Sequence, residues 1–224
     1  MRTTFPCAGV RRALLAALLA AGAGGACAHD GHAGYDQANE PMETTTMPEA
    51  AATTIEGDGV RIKAGFEIDD GGRLRVRYRV QNTGGADLAV FDRGDRHAVL
   101  TKRQQAGEVG QPGFHEDGAG GLVLSHVARP LPQPGPTLPP TPLAARLAPG
   151  QALEGSFGFS PLVGDQPRRL RWCLGVAAFD EAQFRSPEQA GGVEVWQASF
   201  ALAESQQRLC TPWFDVAAGA FGAE

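Results

Sequence analysis

Residues Arg73-Leu-Arg-Val-Arg-Tyr-Arg-Val80 alternate without a break between basic and apolar side chains. Neighbouring side chains on a β-strand point to opposite faces, so Leu74, Val76, Tyr78 and Val80 share one face. Arg73, Arg75, Arg77 and Arg79 share the other, whereas a helix would scatter both sets around its circumference. The segment therefore reads as a half-buried strand with an apolar face on a core and an arginine face in solvent. Asn82-Thr-Gly-Gly85 closes it with turn chemistry, and Leu88–Phe91 opens the next strand.

Further strands are expected at Val60–Ile68, Ala98–Lys102, Gly121–Ala128, Ala152–Phe159, Leu170–Phe179, Val193–Leu202 and near Arg208–Val216. A helical turn is expected at Ala201–Gln207. Thirty Gly and 16 Pro favour turns and short strands, and 42% apolar residues suffice for a sizeable core. Short strands at this spacing, with no long amphipathic helix, predict an all-β fold: a single antiparallel sandwich over 57–217, with a disordered tail at 218–224. Two connections are long. Arg103–Gly120 is Gly-rich, and Arg129–Pro142 is too Pro-dense to serve a central strand.

The N-terminus carries an export signal. Met1–Arg12 is basic, Ala13–Ala21 is an apolar run, and small residues lead to Ala28. The run is far shorter than the roughly 20 residues that span a bilayer. Two processing readings remain open. Gly24-Gly25-Ala26-Cys27 resembles a lipobox, which makes Cys27 the lipidated first residue and anchors the chain in the membrane. Ala26-Cys27-Ala28 is alternatively an A-x-A site that releases the chain from His29. The lipobox is preferred, and Ala28 after Cys27 resembles the pattern directed to the outer membrane. Signal residues 1–27 are then followed by a polar, flexible tether over 28–56.

Without Arg2, Arg11 and Arg12, 17 basic residues face 25 acidic ones, a balance of −8. That argues against nucleic acid as a partner, because such binding needs concentrated positive charge. With Cys7 in the signal and Cys27 modified or removed, Cys173 and Cys210 remain as an even pair in an oxidising compartment, and a disulfide is expected. The alternative is two buried free thiols. Leu170, Trp172, Leu174 and Val176 fall on the core face, which sets Cys173 on the opposite face, with Cys210 opposed to Leu209 in the same way.

Val80-Gln-Asn-Thr-Gly84 and Leu147-Ala-Pro-Gly-Gln-Ala-Leu153 resemble the strand ends of exported bacterial immunoglobulin-like sandwich domains, including the family of the Bacillus intracellular proteinase inhibitor. The likeness covers about residues 62–159. It implies an immunoglobulin-like β-sandwich and carries no functional residue.

Catalytic spacing is absent from the sequence. Glu154-Gly-Ser-Phe-Gly158 lacks the G-x-S-x-G spacing of a nucleophile elbow, and Gly118–Gly121 lacks the Lys and helix that phosphate binding needs. Asp92, Asp95 and His97 lie within six residues, and if the fold brings His115, Glu116, Asp117 and His126 to them the set is a candidate metal or acid–base site. Turn and loop roles are the expected reading. In the tether, His29, His32, Met42 and Met47 are ligand types that suit copper. The arginine stripe either grips an anionic polymer or partner protein, or pairs with acids on an adjacent strand. Glu67 and Asp69 are the nearest candidates, and pairing is the preferred reading.

The sequence thus points to a non-enzymatic periplasmic lipoprotein that needs no cofactor. It is expected to bind or support another envelope component, protein or polymer. Metal handling by the tether and inhibition of a protease or hydrolase are the alternatives.

Overall fold

The computed structural model describes residues 51–160 and 167–222. In chain order the strands are β1 (Ala52–Gly57), β2 (Val60–Ile68), β3 (Leu74–Asn82), β4 (Leu88–Val90), β5 (Gly113–Glu116), β6 (Gly121–His126) and β7 (Leu143–Leu147). They continue with β8 (Ala152–Phe159), β9 (Arg169–Ala178), β10 (Phe184–Ala190), β11 (Val193–Ala198), β12 (Gln207–Cys210), β13 (Phe214–Asp215) and β14 (Ala220–Phe221). Two short helices, α1 (Arg96–Leu100) and α2 (Leu202–Ser205), lie on connections.

The protein is an all-β sandwich. One sheet is four-stranded, in the order β1-β2-β3-β8, and antiparallel throughout. The alternation in β3 places Leu74, Val76, Tyr78 and Val80 inside and its arginines outside. Opposite them in register, Leu153, Phe157 and Phe159 of β8 and Ile62, Ala64 and Phe66 of β2 complete the apolar face. The β2–β3 turn closes through Asp69, whose Oδ1 accepts the backbone N–H groups of Gly71 and Arg73. A carboxylate two and four residues from its donors stabilises such a turn locally.

The second sheet is organised on β9. Its first half pairs in parallel with β6, and its C-terminal end pairs antiparallel with β4. Its remaining edge takes β13 and then β12. The β6–β9 pair is the one parallel ladder among the described residues. β7, β11 and β10 extend the sheet beyond β4, and β5 pairs with β6.

The main core lies between the sheets, where Trp172, Phe66, Phe214, Ile62 and Leu174 are fully buried. At about 1.5–3 kcal/mol for a fully buried large apolar side chain, each of these positions contributes substantially to folding. A second apolar cluster lies where Ala89, Ala144, Ala177 and Ala198 meet Phe91, Phe184 and Leu202. Since β4 and most of β9 are buried at consecutive positions, both faces of the central strands are covered. Small alanines suit a face on which aromatic side chains pack closely.

Cys173 and Cys210 are direct cross-strand partners of β9 and β12 and form a disulfide, with Cα atoms 4.0 Å apart. Trp172 and Leu174 face the core as expected, and Cys173 lies on the opposite face, yet is itself buried. The bond closes a 37-residue separation. In the chain-entropy account that stabilises the fold by on the order of 3–4 kcal/mol.

Several sequence expectations are corrected. Ala98–Lys102 is not a strand, because Asp95 caps α1 by accepting the Ala98 N–H and draws the segment into a helical turn. The folded domain begins before residue 57, since β1 pairs along its whole length with β2. Within the expected tail, residues 218–222 are ordered against the domain. Ala220 and Phe221 pair with β13, and the Phe221 ring lies 4.9 Å from that of Phe66 and 5.2 Å from that of Phe214. Strands β5, β7 and β10 were not expected. β10 contains Pro187 and a register shift between Arg185 and Glu188, and it lies at the sheet edge, where proline is tolerated.

Candidate functional site

Tyr78, Asp92, Arg93, His126 and Trp172 converge between the sheets, and each is buried. The inward phase of β3 carries Tyr78 across the core, where its hydroxyl donates to Asp92 Oδ2 at 2.6 Å. Gly155 stands opposite Tyr78 on β8, and a Cβ there would lie 2.2 Å from the phenol oxygen. Glycine is thus what lets the ring lie flat on its neighbour strand. Arg93 Nε lies 3.0 Å from Asp92 Oδ1 in an ion pair, and Arg93 Nη1 donates to the Gly107 carbonyl at 2.7 Å. A carboxylate at 0% exposure needs such compensation, because an isolated buried charge is severely destabilising.

His126 ends β6 with both ring nitrogens engaged. Trp172 Nε1–H donates to Nδ1 at 3.0 Å, so the proton of the neutral ring sits on Nε2 and is donated to the Gly110 carbonyl at 2.8 Å. Gly110 N–H in turn donates to the Asp92 carbonyl. The connection after α1 is thereby stitched to both ends of the network. Burial holds the His126 pKa below the usual imidazole value. Burial, reinforced by the Asp92 charge, pushes the Tyr78 pKa well up. This array resembles acid–base machinery in composition, but its polar atoms face one another across a solvent-excluded core. The Tyr78–Asp92 bond ties β3 to the segment after β4 in the other sheet, and the His126–Trp172 bond ties the neighbours β6 and β9.

The remaining acid–base candidates do not join it. Asp95 caps α1, His97 is half-buried on that helix, and His115 and Glu116 are exposed on β5. Asp117 accepts the backbone N–H groups of Ala119 and Gly121 and bonds Arg169, and the two N–H bonds lead in holding its carboxyl below the usual range. No group of three or more His, Cys, Asp or Glu among the described residues is arranged to hold a metal. Cys27, His29, His32, Met42 and Met47 lie outside the described residues. A hollow of about 250 Å³ lies between α1 and β10–β11, lined in part by Arg96, Leu100 and Glu188.

What the fold does present is the outer face of the four-stranded sheet. Arg61 and Lys63 of β2 lie beside Arg75, Arg77 and Arg79 of β3, with Arg73 just before β3, and all are exposed. Pairing is partial. Arg79 Nη1 meets Glu154 Oε1 at 2.5 Å, and Arg61 Nε meets Glu56 Oε1 at 2.6 Å. Arg75 and Arg77 share the single Glu67, at 4.0 and 3.8 Å. Asp69, an expected partner, is committed to its turn, while Glu154, which was not expected, supplies a cross-strand partner. Lys63 stands directly opposite Arg79. Like charges in that position are unfavourable, and the Arg79–Glu154 pair on the other side offsets part of the cost.

No protein-family model, curated protein or solved structure matches this chain.

Proposed function

We propose that the protein is an exported, non-catalytic binding domain on an N-terminal lipid anchor and tether, and that it docks onto another envelope component through the outer face of β1-β2-β3-β8. One observation carries this reading: Tyr78, Asp92 and His126 are consumed by the core, whereas the exposed cations of β2 and β3 outnumber the carboxylates beside them. Export and anchoring rest on the signal-like N-terminus and Cys27. The disulfide fits an oxidising compartment.

The chain from His29 onward, added to washed envelopes, tests the docking role. It is expected to sediment with them and to remain in the supernatant when Arg75 and Arg77 are both changed to Gln. A reproducible hydrolytic turnover abolished by Asp95→Ala or His97→Ala would instead make it an enzyme.

A further inference from the structure

We infer that the partner of this face is a linear polyanion, a polymer bearing carboxylate or phosphate groups along its length, which lies along β3. The inference rests on the reading of this face as the docking surface and goes on to specify the chemistry it takes.

Four observations converge. The first is linearity. Arg73, Arg75, Arg77 and Arg79 occupy alternate positions of one extended segment. At about 3.3–3.4 Å per residue, successive guanidinium stems are spaced by ~7 Å and the row runs ~20 Å. A row of that form matches a chain with repeating charges better than a single small anion.

The second is excess. The face carries Arg61, Lys63, Arg73, Arg75, Arg77 and Arg79 against Glu56, Glu67, Glu154 and the turn-bound Asp69, on a protein whose formal net charge is −5. Positive charge is therefore concentrated here against the overall balance. Among the described residues, Lys63 and Arg73 make no ion pair, and one carboxylate serves both Arg75 and Arg77.

The third is exchangeability. These pairs are half-exposed, and exposed pairs contribute only about 0–1 kcal/mol, so a polymer carboxylate or phosphate displaces them at little cost. Arginine forks present two parallel N–H groups to such a planar or tetrahedral anion. Gly158 leaves room for the Arg73 guanidinium, since a Cβ there would lie 2.8 Å from Nη2.

The fourth is the lack of an apolar anchor. The outward positions of β1, β2, β3 and β8 carry no aromatic side chain. Protein interfaces centre on buried aromatic or aliphatic anchors, and single-stranded nucleic acids are held by stacking on aromatics. Neither mode has a foothold on this face.

The test uses the full mature chain with soluble polygalacturonate and polyphosphate as probes, neutral dextran as control, and vesicles containing anionic phospholipid as a second source of phosphate. The expected result is binding to at least one soluble polyanion and not to dextran, weakening about tenfold or more from 50 to 200 mM salt. R75Q/R77Q should lose about tenfold or more, with an unchanged melting temperature. R103Q/R185Q removes the same charge from exposed sites on other elements and should bind as the parent does. Equal losses in the two double variants, or no binding to either polymer, would overturn the inference. Binding to vesicles alone would also overturn it and assign the face to a lipid surface. If the chain still sediments with envelopes in an Arg75/Arg77-dependent manner while ignoring both polymers, docking stands and only the polyanion fails.

Discussion

Trp172 on β9 donates its indole N–H to His126 Nδ1 on the parallel neighbour β6, at 3.0 Å. The bond requires an unprotonated Nδ1, so the core is built around a neutral imidazole. Protonation would replace an acceptor with a donor facing a donor, inside a site where burial already opposes charge.

A pH dependence follows. The unfolded His126 takes up a proton near pH 6.5, whereas the folded ring resists it, so the unfolded state binds more protons as pH falls. This contribution to stability is complete above about pH 6.5 and is lost below it, at up to ~1.4 kcal/mol per pH unit. Denaturant midpoints at pH 7.5, 6.5 and 5.5 check this. The parent should weaken more steeply than His126→Gln across that window. Parallel profiles would show that His126 does not titrate against folding.

Tyr78→Phe removes the hydroxyl that caps Asp92 Oδ2 and leaves a buried carboxylate short of a donor. The expected loss is about 1–3 kcal/mol in urea or guanidinium unfolding. Gly155→Ala should also destabilise, because the new methyl meets the Tyr78 ring and hydroxyl. A neutral Tyr78→Phe would mean that Arg93 alone compensates Asp92.

The disulfide predicts that a Cys173→Ala/Cys210→Ala double variant loses on the order of 3–4 kcal/mol. Labelling of the unfolded parent should detect no thiol from these positions until reductant is added. Labelling without reductant would contradict the bond.

Phe221→Ala tests whether β14 belongs to the domain. Its ring packs on Phe66 and Phe214 and is half-buried, so about 1–2 kcal/mol should be lost, less than for a fully buried phenylalanine. Unchanged stability would return 218–222 to the status of a tail.

The fold class was legible because β3 alternates with no exception, and Leu170, Trp172, Leu174 and Val176 repeat the pattern on β9. Elsewhere local signals misled. Ala98–Lys102 is apolar enough to suggest a strand, but the decisive group is the Asp95 side chain three residues before Ala98. β10 was hidden by Pro187, which a sheet edge accommodates. β14 was hidden by its length and pairs only because its phenylalanine reaches a core that the local sequence does not reveal.

The buried network was legible only in its parts. Asp92 and His126 stand out as polar residues, yet their partners come from β3 of the other sheet and from β9, far away in the chain, and such long-range pairings have no spacing signature. The one local hint is Asp92-Arg93 directly after the apolar run Leu88–Phe91. The outer face was half legible: periodicity gathers the arginines, but which acids reach them depends on register. Register gave β3 Glu154 from β8, while the β2–β3 turn took up the carboxylate of Asp69.

The most direct test of the account places a photo-crosslinking residue at Ser156, which is exposed opposite Arg77, and separately at Gln183, which is exposed outside this sheet. Both full-length chains are irradiated in intact cells. The account predicts a crosslinked envelope component from position 156 that disappears in the R75Q/R77Q background and is absent from position 183. Equal crosslinking from both positions, or a product at 156 indifferent to those arginines, would contradict docking through this face.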